Sequence, residues 1–379
     1  MYHAQCNRLH LLSFCDHEII LLENMAKSNG RPRVTIEDVA QRAGVSTATV
    51  SRVLNKTANV SSQTVARVET AVDELGYVLH TAARILSNNK TGNIGIIVPA
   101  TSNPFLASLL ESINQYAIAN GYNLLIYATT HQASIRGGVP IPLNEDNTDG
   151  LLIFSDSVDD RTLFHLHRRQ FPMVMLYRKP PQELDIPCVL LENKNGARSL
   201  IDHLIKNCGH RRIAFMAGPP ENQDSFGREQ GYREALAANN IPFDPNLMGT
   251  GAFHDWKAKE QIEQWLAQGL EFDAIFAGDD TAAMAAIVTL QRAGKRIPED
   301  VAVVGFNNDT LSEYINPPLT TVHAPTGAVG RMAAKQLFHL IRGEPTEKVT
   351  QFATEIVIRR SCGHELAAKL DDANIEANI

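Results

Sequence analysis

No stretch of the chain approaches the ~18–20 consecutive apolar residues that a membrane span needs. The amino-terminal residues Met1–Leu22 have the look of a signal peptide, but Asp16 and Glu18 interrupt the apolar region and no small-residue cleavage site follows. A cytoplasmic protein is expected. Cysteine is sparse: Cys6, Cys15, Cys188, Cys208 and Cys362 are an odd number without metal-ligand spacing. They read as reduced packing residues of a reducing compartment. There is also no G-x-G-x-x-G after a strand, no Walker motif, no G-x-S-x-G and no His/Cys/Asp set at ligand spacing. His165 and His167 read as surface residues on a helix. An enzyme, a cofactor and a metal are therefore not expected.

What remains is an ordinary globular composition, with 44% hydrophobic and 20% charged residues. At 379 residues the chain exceeds one core, so two or three compact units are expected. The net charge of −7 is unevenly spread. Between Met25 and Lys90, nine Lys or Arg face five Asp or Glu, a net +4, whereas residues 91–379 carry −9. A basic end on an acidic body suits a polyanionic partner at that end alone.

From Val34 onward, short helical segments alternate with turn chemistry. Thr35 with Asp38 forms a capping-box-like start, and Ile36, Val39 and Ala40 fall on one face. Gly44 supplies a sharp turn. Ser46 can cap a second helix through Leu54, with Val50, Val53 and Leu54 inward. Ser61 opens a third, with Val65, Val68, Ala71, Val72 and Leu75 inward. Two helices joined by so short a turn form a helix-turn-helix, whose second helix enters the major groove. Its outward residues are Thr47, Ala48, Thr49, Ser51, Arg52 and Asn55, short polar groups and one arginine that can reach a guanine edge. On the residues alone, a solvated face of a small helical bundle is an equal reading.

The run from Val34 to Asn55, continued by Asn59-Val-Ser61 and Glu74-Leu-Gly-Tyr77, closely resembles the head of the lactose/galactose repressor (LacI/GalR) family. The resemblance places base reading on Thr47 and Ala48, with Arg52 as the main base contact. Thr35, Ser46, Thr49, Ser51, Asn55, Ser61 and Thr64 would hold phosphates. The segment 81–88 resembles the family's hinge helix, too short to be stable in isolation. There Ala83 and Leu86 would meet the minor groove, Leu86 as a wedge between base pairs. Leu79-His80 departs from the usual Pro-Asn before that helix.

After Thr91 the chain repeats short apolar strands and amphipathic helices. Strands are expected at 94–98, 122–127, 150–154, 173–176, 189–191, 213–216, 274–276 and 301–305. Helices are expected at 105–120, 196–207, 230–239, 258–268 and 281–293. This rhythm argues for parallel sheets covered on both faces, with ligands beyond the carboxyl ends of the strands. The resemblance extends here through Asn103-Pro-Phe105, Asp149-Gly-Leu-Leu152, Gly209-His-Arg-Arg-Ile213, Arg228-Glu-Gln-Gly-Tyr232, Pro298-Glu-Asp-Val301, Val304-Gly-Phe306 and Pro317-Pro-Leu-Thr-Thr-Val322. It implies effector contacts from Phe105, Arg228, Asp279 and Asn307, and from Phe226, which with Tyr177 and Trp256 reads equally as a stacking or a core residue. The family commonly has Asn and Asp where this chain has Asp279 and Asn307. Between Thr130 and Asp149 the family's helix is opposed by two Gly and two Pro.

The fold class implied is an all-α helix-turn-helix head plus an α/β periplasmic-binding-protein-like body of two doubly wound parallel-sheet lobes. Residues 1–33 would be a disordered extension or arm, with Met25 a possible start. Residues 34–79 would be the DNA-binding domain, 80–91 the hinge and linker, 92–363 the effector-binding and dimerisation domain, and 364–379 a flexible tail. Within the body, a first lobe of 92–191 and 323–346 and a second of 192–322 and 347–363 are expected. The resemblance implies a homodimeric regulator that binds a palindromic operator and is controlled by a small-molecule effector, a sugar or sugar derivative. The body alone would equally suit a solute carrier, but that role needs export and has no use for the head.

Overall fold

The computed structural model describes residues 34–55, 60–77, 90–99, 104–129 and 141–365. It divides into two units, 1–90 and 91–379. In the first, α1 (Ile36–Ala43), α2 (Thr47–Asn55) and α3 (Ser62–Leu75) surround a core of Val39, Ala40, Ala43, Val50, Val68, Ala71 and Tyr77. Each start is fixed locally. Thr35 and Asp38 form the capping box at α1, and Ser46 and Ser61 accept from the backbone N–H of Thr49 and Thr64. The turn after α1 needs a left-handed residue, and Gly44 supplies it with φ 64°. Arg67 of α3 then donates to the carbonyls of Ala43 and Gly44, satisfying orphan acceptors at the end of α1. Nothing local in the sequence announced this clamp, because it joins residues far apart in the chain.

The second unit opens with β1 (Asn93–Pro99), α4 (Phe105–Ala119), β2 (Asn123–Thr129), β3 (Leu151–Phe154), α5 (Asp160–Arg168), β4 (Met173–Leu176) and β5 (Cys188–Leu191). There follow α6 (Asn193–Lys206), β6 (Ile213–Ala217), α7 (Gln223–Ala238), β7 (Met248–Thr250), α8 (Asp255–Ala267), β8 (Ala274–Ala277), α9 (Asp280–Arg292) and β9 (Ala302–Val304). The chain ends with β10 (Thr321–His323), α10 (Thr326–Ile341), β11 (Val349–Phe352) and β12 (Glu355–Val357).

The first lobe is a six-stranded parallel sheet in the order β11-β5-β4-β3-β1-β2. Ile94, Ile96 and Val98 pack on α4 and α10, whereas Ile97 turns to the opposite face with Leu151, Ile153 and Met175. Both faces are buried, which is why these strands read as continuous apolar runs. The second lobe repeats the plan with the order β7-β6-β8-β9. Phe215 and Phe276 face α6 and α7, and Met216 and Ile275 face α8 and α9. The antiparallel pair β10–β12 lies among the three crossings that join the lobes.

Two expectations are corrected. Strand β11 pairs with β5, so residues 349–352 belong to the first lobe and the last crossing comes after them, not at 347. Helix α7 begins at Gln223 rather than Gln230. Gly227 and Gly231 hide its first half in the sequence. They are there because α7 lies on α6: a Cβ on Gly231 would stand 2.2 Å from the Lys194 carbonyl oxygen. Residues 141–148 form bends and turns rather than a helix, and 130–140, with Gly137, Gly138 and Pro140, lie outside the described residues.

Gly231→Ala should accordingly lower stability by about 1–3 kcal/mol, through forced separation of two backbones. Urea unfolding monitored by circular dichroism checks this; an unchanged midpoint would contradict the close approach.

Candidate functional site

On the head, Ser46, Thr47, Ala48 and Arg52 are exposed along one side of α2. Thr49 and Ser51 are half-buried, and the side chain of Asn55 lies outside the described residues. The hydroxyls of Ser46 and Thr49 bond one another at 2.9 Å, as do those of Ser61 and Thr64. Thr35 Oγ1 is engaged with Asp38 at 3.0 Å. These expected phosphate-holding residues thus sit at three helix starts, where free N–H groups and the helix dipole favour anions. Arg42 is paired with Glu74, and Arg67 is committed to the turn. Arg52 has neither engagement and is the exposed cation of α2. Ala83 and Leu86 lie outside the described residues.

Of the side chains named from the sequence, Arg228, Asp279 and Asn307 come together in the second lobe at the carboxyl ends of the strands, where parallel α/β sheets place ligands. Arg228, in the second turn of α7, is almost fully buried, at 3% exposure. Its Nε donates to Asn193 Oδ1 at 2.9 Å, Nη1 to the Gly278 carbonyl, and Nη2 to Asn307 Oδ1 at 3.4 Å. Its guanidinium lies 3.8 Å over the Phe306 ring. Asp279 is beside it, but its carboxylate also caps α9 by accepting from Ala282 at 2.9 Å. Asn193 passes the chain of bonds onward to Asp224 Oδ1 at 2.6 Å. The first lobe contributes Ser155, whose Oγ accepts from Asn222 across the crossing at 3.2 Å, and Lys179, whose N–H donates to Gln223.

The backbone here is unusual. Ser155, Tyr177, Phe253 and Asn307 have φ of 39°, 62°, 61° and 119°, all left of the ordinary region and all just beyond strand ends. Such conformations cost of order 1–3 kcal/mol each and gather where a surrounding frame holds a binding site in shape.

The aromatic residues divide. Phe226 and Trp256 are exposed, at 59% and 53%, with Trp256 stacked on His254 at 6.0 Å. Phe105 and Tyr177 are instead largely core residues of the first lobe, their rings 5.3 Å apart and both packed on Phe154. Tyr177 follows β4 directly and Phe105 opens α4, and both rings enter the core on that covered face of the sheet. Tyr177 keeps one unusual feature: its hydroxyl is buried without a hydrogen-bond partner. Asn193, Asp224 and Phe253 were missed in the sequence; Asn193 and Asp224 are polar residues just after an apolar strand or at a helix start, a weak signal that could have found them.

Electrostatically the site is acidic around one guanidinium. Burial pushes the Asp280 carboxyl up to about 7 and Asp309 up to about 8, and neighbouring acids add to both shifts. Asp224 is raised to about 6, again by burial first, with Arg228 opposing. Asp280 is nevertheless well held, accepting from Thr321 Oγ1 at 2.6 Å and from the Asp309 N–H at 2.7 Å.

The body is thus a two-lobed small-molecule receptor, and the head is a helix-turn-helix. Residues 35–79 match the bacterial regulatory proteins of the lacI family, and residues 201–362 match a periplasmic binding protein-like domain. The chain is 35% identical over 330 residues to the HTH-type transcriptional repressor PurR of Photobacterium profundum, covering 86% of this chain and 98% of that one. It is 35% identical over 343 residues to the HTH-type transcriptional regulator CelR of Thermobifida fusca, covering 87% and 99%. A solved CelR–cellobiose complex superposes with a TM-score of 0.64 at 33% identity, over 87% of this chain and 100% of that one. The Lac repressor dimer bound to operator and the anti-inducer ONPF shares the fold, with a TM-score of 0.75 at 24% identity, over 87% and 99%. The chain belongs to the LacI family. It is a DNA-binding transcriptional regulator, not an enzyme. No helix among the described residues is long and apolar enough to cross a membrane.

The acid cluster gives a pH prediction. With folded pKa values of about 7 and 8 against an ordinary 3.8, Asp280 and Asp309 keep protons in the folded state that the unfolded chain has released. Their contribution to stability is fully present below about 3.8, falls from there at up to about 1.4 kcal/mol per pH unit per group, and is gone above about 7 for Asp280 and about 8 for Asp309. Asp309→Asn should flatten the fall in melting temperature between pH 6 and 8.5. Parallel pH profiles for the two proteins would contradict the assignment.

Proposed function

We propose that this regulator is a cytoplasmic homodimer that represses a carbohydrate-utilisation operon, and that a sugar or sugar derivative between the lobes sets its affinity for a palindromic operator. The observation that carries the effector reading is Arg228, a buried guanidinium held at the strand ends by Asn193, Gly278 and Asn307. Such a fork offers paired donors to hydroxyls or a carboxylate. Asp224, Asp279, Asn307 and the unpartnered Tyr177 hydroxyl surround it with acceptors and donors of the kind a polyhydroxylated ligand uses. Exposed Phe226 and Trp256 can stack on an apolar sugar face. CelR, similar over nearly its whole length, has been solved with cellobiose, which supports the same class.

On the operator, Thr47, Ala48 and Arg52 read base edges, while Thr35, Ser46, Thr49, Ser51, Asn55, Ser61 and Thr64 approach phosphates. Ala83 and Leu86 enter the minor groove between two chains, with Leu86 the wedge. A two-fold dimer needs a two-fold site, hence the palindrome. Effector binding changes the relation of the lobes and so the pairing of the hinge segments. A coupling of about 1–3 kcal/mol would suffice, a five- to 150-fold change in operator affinity.

Fluorescence anisotropy with palindromic duplexes tests the reading. Affinity should fall steeply with salt, as counterion release requires. Arg52→Ala should lose about 1–3 kcal/mol and discriminate less between bases. Leu86→Ala should weaken operator binding while leaving effector affinity nearly intact. A thermal-shift screen of sugars against nucleobases and nucleosides identifies the effector class; stabilisation by nucleobases alone would replace the sugar reading. Salt-independent binding, or none to any duplex, would remove the operator reading.

A further inference from the structure

Cysteines far apart in the chain, which spacing had marked as isolated packing residues, meet on the second lobe. His203 lies in the last turn of α6, Cys208 just beyond it, and Cys362 after β12. One imidazole atom, His203 Nε2, stands 3.5 Å from Cys208 Sγ and 3.6 Å from Cys362 Sγ. All three ligand atoms lie within 4.8 Å of one another. His203 and Cys362 are buried, at 7% and 0%, and half-buried Cys208 leaves a way in. A second observation points to a ligand. The His364 ring is centred 5.2 Å from that of His203, and its Nδ1 is shut off from solvent without a hydrogen-bond partner.

Hydrogen bonding gives each thiol a partner, with Cys362 Sγ donating to the Arg359 carbonyl at 3.5 Å and Cys208 Sγ facing His203 Nε2. A metal ion would engage all three ligand atoms at once. Zinc holds sulfur at about 2.3 Å and nitrogen at about 2.0–2.1 Å, so its tetrahedral S···N edges are about 3.6 Å long. The two observed S···N separations fit those edges without movement. His210 is not a further ligand, because its Nε2 is committed to the Cys362 carbonyl at 3.1 Å.

We propose that His203, Cys208 and Cys362 form a binding site for a thiophilic divalent cation, zinc by ligand type, with the fourth position taken by water or by His364 Nδ1. Both thiols lose their protons on binding, so the doubly charged ion and two thiolates are neutral together and affinity rises with pH. The ion would tie the returning carboxyl-terminal segment to α6. That helix carries Asn193, the partner of Arg228, at its other end. The site is therefore structural, and it anchors the back of the lobe rather than the effector.

The test uses the reduced, full-length protein after dialysis against chelator, titrated with Co²⁺. The proposal expects one ion per chain, with thiolate-to-cobalt charge transfer in the near ultraviolet and the strong visible absorption of a tetrahedral ion. Zinc should displace both signals and should protect Cys208 from alkylation, read by mass spectrometry on the unmodified sequence. Cys208→Ser should weaken binding at least tenfold. Cys188→Ser, and joint replacement of Cys6 and Cys15 by Ser, should leave it unchanged. Absence of the cobalt spectrum, its survival in Cys208→Ser, its loss with Cys6 and Cys15, or a Cys208–Cys362 disulfide in protein that takes up no metal would each overturn the proposal.

Discussion

A guanidinium cannot be taken out of water without compensation, and burial of Arg228 organises the effector lobe around that fact. Four chain segments distant in sequence must arrive together for its three hydrogen bonds: the start of α6, the second turn of α7 and the loops after β8 and β9. Phe306 closes one face of the group at 3.8 Å. In exchange, Arg228 is the counter-charge that lets Asp224, Asp279, Asp280 and Asp309 lie close together. Removing one side of such an arrangement typically costs 3–5 kcal/mol. The same pre-formed, dry fork is what a hydroxylated ligand would find on entering.

The topology explains why the polar groups collect there. Every strand of both sheets that feeds the site is parallel to its neighbours, so loops that leave carboxyl ends share one edge of each sheet. The left-handed residues Ser155, Tyr177, Phe253 and Asn307 all lie in those loops. A covered sheet on each side fixes the strand ends firmly enough to hold this strain. Three chain crossings between the lobes, after β5, β10 and β11, allow one lobe to move relative to the other while each keeps its own core.

Much of this was legible in the sequence, for physical reasons that also mark where legibility ended. The head was read residue by residue because its signals are local: a capping box at Thr35 and Asp38, a left-handed Gly44, serine caps at Ser46 and Ser61. Arg67, which acts across the chain, gave no such signal. In the body, doubly covered strands announced themselves as apolar runs, whereas β7 and β10–β12, three or four residues long and partly exposed, did not. Helix α10 was obscured by Gly327 and Gly330, which are small because α4 packs against them; a Cβ on Gly330 would meet Ser112 Oγ at 2.3 Å. Arg228 was picked out by family resemblance, but its partners Asn193 and Asp224 were not. Cysteine spacing failed for the same reason as Arg67: Cys208 and Cys362 are brought together only by the fold.

In the proposed mechanism, the Arg228 fork, rather than the charge there, couples the effector site to the operator. Arg228→Lys keeps the compensating charge for the acids and loses the planar pair of donors. Calorimetric titration of this variant with the effector found by screening, alongside operator affinity measured without it, separates the two roles. Effector affinity should fall at least tenfold, with operator affinity within about twofold of the unaltered protein. Unchanged effector affinity, with the operator response intact, would contradict this mechanism.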